Sequence, residues 1–105
     1  MKTDTNDTEW ADGKLTFPLS KPVMAHGDMV KELVLREPTG ADIIAVGNPV
    51  QFDPVSSPPR VQIDDARMAA MICRLATVPQ GTVAALPPKD LINLGWSLAS
   101  FFMPI

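Results

Sequence analysis

The chain has 105 residues, 46% of them hydrophobic, with nine Lys and Arg against twelve Asp and Glu and a net charge of −3. That describes one small domain with enough apolar content for a core. It has no window basic enough to track a phosphate backbone, which argues against nucleic-acid binding as the main task. A single cysteine excludes an internal disulfide and suits a reducing compartment, and no uncharged apolar segment reaches the ~20 residues that span a bilayer.

Residues 1–14 are polar and acidic at their start, which predicts a flexible N-terminal tail and no signal peptide. Trp10 in that tail reads as an adventitious exposed contact. Leu15-Thr16-Phe17-Pro18-Leu19 alternates apolar and polar apart from Pro18, the pattern of an edge strand. Ala25-His26-Gly27-Asp28 is a turn signal, and Met29 to Arg36 is the returning strand of a β-hairpin. At Glu37-Pro38 the strand must stop, because proline lacks a donor and holds the preceding residue extended. Thr39 then supplies an N-cap, with Asp42 placing negative charge in the first turn of a short helix. Gly47-Asn48-Pro49 ends that helix.

Residues 48–60 hold Pro49, Pro54, Pro58 and Pro59 and predict a long loop. The helical signal returns at Asp64-Asp65. Met68, Met71, Ile72 and Leu75 follow at i, i+3, i+4 and i+7, one face of a helix limited by Pro79. Gln80 to Leu86 reads as one loose helical turn. Pro87-Pro88-Lys89-Asp90 opens the last helix, and no charged residue follows Asp90. Leu91, Leu94, Leu98, Phe101 and Phe102 form one stripe there, and Ile92, Trp96, Ala99 and Met103 a second. A helix apolar nearly all round predicts a subunit or partner interface in so small a chain. The expected fold class is α+β: a small N-terminal antiparallel hairpin, then about three helices, as one domain over 15–105.

Candidate chemistry is sparse. His26, the one histidine, sits in the predicted turn without a paired carboxylate or metal-ligand spacing and reads as a solvated turn residue. Cys73 lies beside the apolar helix face without a histidine, and reads as a structural thiol. Asp64-Asp65 is explained by helix-start electrostatics. These readings predict no enzyme, no metal and no cofactor.

With the junction Leu33-Val34-Leu35-Arg36-Glu37-Pro38-Thr39-Gly40-Ala41-Asp42-Ile43 in place, the chain resembles the tail assembly chaperones of Mu-like and related contractile-tailed phages. The segment Leu15 to Pro22, the glycine turn at Gly27, Met71-Ile72-Cys73-Arg74-Leu75-Ala76 with its proline stop, and Asp90-Leu91 with the apolar helix after it match that family's order. The resemblance covers roughly residues 15 to 103. It implies a non-enzymatic protein of the host bacterial cytoplasm that coats the tape measure protein before tube polymerisation, keeps it soluble, and is absent from the mature virion. It also implies a longer frameshifted form in some members. Combined with the apolar stripes, it predicts a homo-oligomeric or client-binding surface made by Met68, Met71, Ile72, Leu75, Leu91, Leu94, Trp96, Leu98, Phe101 and Phe102. The competing reading is a small bacterial regulatory or antitoxin-like adaptor acting through the same apolar helix contacts.

Overall fold

The computed structural model describes residues 10–103. Three strands, β1 (Trp10–Ala11), β2 (Lys14–Ala25) and β3 (Asp28–Arg36), form an antiparallel sheet in that order. The helix α1 (Gly40–Val46) follows, then a second hairpin of β4 (Val50–Asp53) and β5 (Arg60–Ile63). The rest is helical: α2 (Asp65–Ala76), α3 (Gln80–Ala84), α4 (Pro88–Ala99) and a closing 3-10 turn, Ser100–Phe102. The described residues are therefore α+β, with four α-helices, the fourth being the short turn expected near Gln80.

Period-two burial builds the first sheet. Leu15, Phe17, Leu33 and Leu35 face inward, and Thr16, Val34 and Glu32 face out. Leu15 pairs with Leu35 and Phe17 with Leu33, so four large side chains share one face. The strand β2 is longer than expected and is the central strand. Among the described residues β1 pairs with Lys14 and Leu15 alone and β2 has no second neighbour at Pro18, where a missing donor is tolerated. The register then shifts between Pro18 and Val23. At the hairpin turn, His26 and Gly27 both take positive φ, 53° and 86°. The exposed imidazole is not merely solvated: its Nε2 lies 2.8 Å from the carbonyl oxygen of Thr77, the residue that caps α2.

Two expectations are corrected. The flexible tail over 1–14 fails at its end: Trp10–Ala11 is a strand, and the Trp10 ring meets Phe101 edge-on at 5.0 Å and 75°. Residues 1–9 lie outside the described residues. The second correction concerns 48–60, which holds most of a hairpin. Val50 and Phe52 pair with Ile63 and Val61 on an apolar face, opposite Gln51, Gln62, Asp53 and Arg60. The prolines stand outside the paired residues, at the entry and in the turn, so they bound the strands rather than break them. Asp53 organises that turn. Its carboxylate accepts from the Ser56 hydroxyl at 2.7 Å and the Val55 N–H at 3.0 Å, contacts that hold its pKa below the usual range.

The strand-to-helix junction is pinned by one buried acid. Asp42 is 1% exposed and accepts two hydrogen bonds from Arg36, both at 2.8 Å, one from Arg74 Nε at 2.9 Å and one from the Thr39 N–H at 2.8 Å. Arg36 ends β3, Thr39 caps α1 and Arg74 stands in the last turn of α2. One carboxylate thus ties three elements together, and the Arg36 guanidinium holds it far below the usual carboxylate range against the opposing cost of burial. Gly47 ends α1 at φ 95°, a backbone conformation that calls for glycine; a Cβ there would stand 3.1 Å from Nε of the exposed Arg67 side chain, which can shift aside.

One buried cluster draws on both sides of the proline-rich segment: Leu15 and Leu35 from the sheet, Met71 and Ile72 from α2, Leu94 and Leu98 from α4. The start of α4 is fastened to β2 by a second buried acid. Asp90 is 3% exposed, and its Oδ2 accepts from the Ser20 N–H at 2.8 Å and the Ser20 hydroxyl at 2.9 Å. Ser20 lies within the register shift, so Asp90 satisfies a backbone donor inside the ladder irregularity.

Candidate functional site: an apolar groove beside the last helix

The helix α4 presents two unlike sides. Leu94, Leu98 and Ala99 are fully buried and build the core. Ile92 and Trp96, one turn apart, are 55% and 51% exposed. Between them and the chain that runs from β5 into α2 lies a groove of about 240 Å³. Ile63 and Met68 line it from the β5–α2 side and Leu91, Ile92, Gly95 and Trp96 from α4, with Asp65 also in the lining. Ile63 is brought there by pairing with Val50, and Met68 by the face of α2 that turns toward α4.

Gly95 is informative. It stands inside a helix, where glycine costs about 0.5–1 kcal/mol relative to alanine. A Cβ built there would meet Met68 Cγ at 3.4 Å and Ile63 Cδ1 at 3.6 Å, ordinary contact distances. Packing within the chain therefore does not require glycine. What its missing side chain provides is depth in the groove.

Of the ten residues expected at a partner surface, Met68, Leu91 and Trp96 line this groove. Met71, Ile72, Leu75, Leu94, Leu98 and Phe102 lie in the core of the chain, and Met68 is itself only 2% exposed. Phe101 is on another side of the C-terminal turn, 39% exposed and stacked against Trp10. The apolar face of α2 is therefore an internal face, packed against β3, α1 and α3 and sharing one buried cluster with Leu94 and Leu98 of α4. Ile63, Asp65, Ile92 and Gly95 complete the groove and were not among the expected residues. The alternation through Val61 and Ile63 and the i, i+4 pair Ile92 and Trp96 are the signals that point to them.

The groove carries no acid–base pair. Among the described residues there is no group of three His, Cys, Asp or Glu placed to hold a metal ion. Cys73 is half-buried, and burial pushes its thiol pKa up, away from the reactive thiolate. At about 240 Å³ the groove lies below the roughly 300–1,000 Å³ of small-molecule sites, and it is apolar. It suits the side chains of another polypeptide. No helix among the described residues is long and apolar enough to cross a membrane.

Comparison with protein-family models matches residues 16–103 to one described as "Phage tail assembly chaperone proteins, E, or 41 or 14". No curated protein and no solved structure matches the chain. The match runs from β2 to the end of the C-terminal 3-10 turn, so it takes in the Arg36–Asp42–Arg74 pin, the Asp90 anchor and the whole groove. The chain belongs to the phage tail assembly chaperone family.

Proposed function

We propose that residues 15–105 act as one small, non-enzymatic domain that binds the tape measure protein and keeps it soluble until the tail tube polymerises. The observation that carries this reading is the groove beside α4, with Ile92 and Trp96 standing half exposed along it. A tape measure protein is long and helical, and an amphipathic helix docks by laying its apolar face into such a groove. Exposed aromatic anchors with an apolar surround are the usual carriers of binding energy. Work of this kind takes place in the host bacterial cytoplasm and leaves the chaperone out of the finished particle. Self-association, and contact with a longer frameshifted form of the same chain, are further uses of the exposed apolar side.

The test is co-expression with the tape measure protein of the same gene cluster, followed by a pull-down. Rescue of an otherwise insoluble tape measure protein, with co-elution, supports the reading. A tape measure protein that stays aggregated and unbound beside soluble chaperone sinks it. The variant Trp96→Asp locates the surface: it should abolish rescue while leaving the far-UV spectrum unchanged, because Trp96 is half exposed and outside the core. Sedimentation of the chain alone and with the tape measure protein separates self-association from client binding.

A further inference from the structure

The groove is asymmetric in charge. Asp65 is its one charged lining residue. Asp65 takes part in no ion pair among the described residues, whereas its neighbour Asp64 caps α2 through the Arg67 N–H at 3.1 Å and lies 3.8 Å from the Arg67 guanidinium. Asp65 stands in the first turn of α2 and is exposed. An apolar trough whose lining includes one exposed carboxylate, outside any ion pair among the described residues, calls for a partner that is apolar along its length and cationic at one point.

We infer that the groove takes one turn of a partner helix that lays two apolar side chains over Met68 and Gly95 and sets a lysine or arginine beside Asp65. This rests on the reading of the α4 side as the client-facing side, and it states the local sequence that side selects. Size supports it. An apolar cavity of roughly 150 Å³ holds one benzene-sized group, so about 240 Å³ holds the tips of two aliphatic side chains. Side chains at i and i+4 of one helix are neighbours on one face, matching the one-turn spacing of Ile92 and Trp96 along α4. A second copy of this chain is a poorer occupant. Its own α4 brings one cation, Lys89, in the first turn and none along the apolar stripe that would lie in the groove.

The experiment uses three synthetic helical peptides of about 18 residues, five turns. They carry the same leucine pair and differ only at one neighbouring position, lysine, alanine or glutamate. Each is titrated by fluorescence anisotropy against the full chain and against Asp65→Asn and Asp65→Lys, with far-UV spectra confirming that each variant folds. The lysine peptide should bind about three- to fivefold more tightly than the alanine peptide and the glutamate peptide about as much more weakly, the scale of one exposed charge pair. Asp65→Asn should bring the three together and Asp65→Lys should reverse their order, and ~1 M salt should erase the differences. Three peptides that bind the wild-type chain alike overturn the inference and leave the client reading standing. No peptide binding at all, while the tape measure protein is still rescued, also overturns it and puts the client elsewhere. Loss of rescue as well removes the functional reading beneath it.

Discussion

Replacing Asp42 tests the physical account of the family-like junction most severely. Its carboxylate accepts four short hydrogen bonds, three of them from guanidinium groups, and is 1% exposed. Removing one partner of a buried ion pair costs about 3–5 kcal/mol when the other charge is left buried. Here the abandoned partners are not buried: the side chains of Arg36 and Arg74 are 45% and 42% exposed and can return to water. The Thr39 N–H loses its acceptor, at about 1–2 kcal/mol. Asp42→Ala should therefore cost about 2–4 kcal/mol, a large part of the ~5–15 kcal/mol that holds a domain of this size. Asp42→Asn keeps an acceptor for Thr39 and should cost less. Urea unfolding followed by tryptophan emission measures both. The pH dependence is a second readout. Asp42 has its pKa depressed in the folded state, so its contribution is fully present above the unfolded value near ~4 and is lost as pH falls below that toward the folded value. Wild-type stability should drop between about pH 4 and pH 2, and Asp42→Asn should drop less over that window. A cost below ~1 kcal/mol for Asp42→Ala, with an unchanged acid profile, would refute the reasoning.

Gly95→Ala should stabilise the chain by up to ~1 kcal/mol through helix propensity, raising Tm by a few degrees, and should weaken client binding by filling part of the groove; thermal melts and titration check both, and a destabilised variant contradicts the room for a methyl group beside Met68 and Ile63. Asp90→Ala should cost about 1–2 kcal/mol by leaving the Ser20 N–H unpaired, with Asp90→Asn intermediate; equal costs in urea unfolding would show that Asp90 acts only through the α4 dipole. Trp10→Ala should cost roughly 0.5–1.5 kcal/mol through its lost stacking on Phe101, read by the same unfolding curves. Cys73 should react with iodoacetamide at pH 8 more slowly in the folded chain than in urea, because burial raises its thiol pKa; equal rates would place it at the surface.

Much of the architecture can be read from local pattern. Leu33 and Leu35 announce β3 by alternation, the Pro38-Thr39 pair fixes where α1 begins, and Met68, Met71, Ile72 and Leu75 announce α2 by their spacing. What local pattern cannot give is which apolar face is covered by what. The α2 stripe and the inner stripe of α4 look as adhesive as any interface, yet the sheet and the two helices consume them on each other. Prolines hid the second hairpin because their number suggested a loop, while their positions, outside Val50–Asp53 and Arg60–Ile63, allowed strands. Asp42 was legible as a helix-start charge and Asp90 as part of the segment that opens the last helix. Their second roles depend on Arg74, thirty-two residues away, and Ser20, seventy residues away, and only the fold brings those together. The groove follows the same logic, since Ile63 and Trp96 meet only after β5 and α4 are placed.

The central claim is that a tape measure helix docks against the α4 side of this chain. The chain has two tryptophans, Trp10 and Trp96, so Trp10→Phe leaves Trp96 as the single reporter beside the groove. Titrating that variant with a helical tape measure segment should shift Trp96 emission to the blue and saturate at a defined stoichiometry, as a half-exposed indole becomes covered. Tight binding of the segment in a parallel pull-down, with Trp96 emission unmoved, would contradict the claim and place the client on another face.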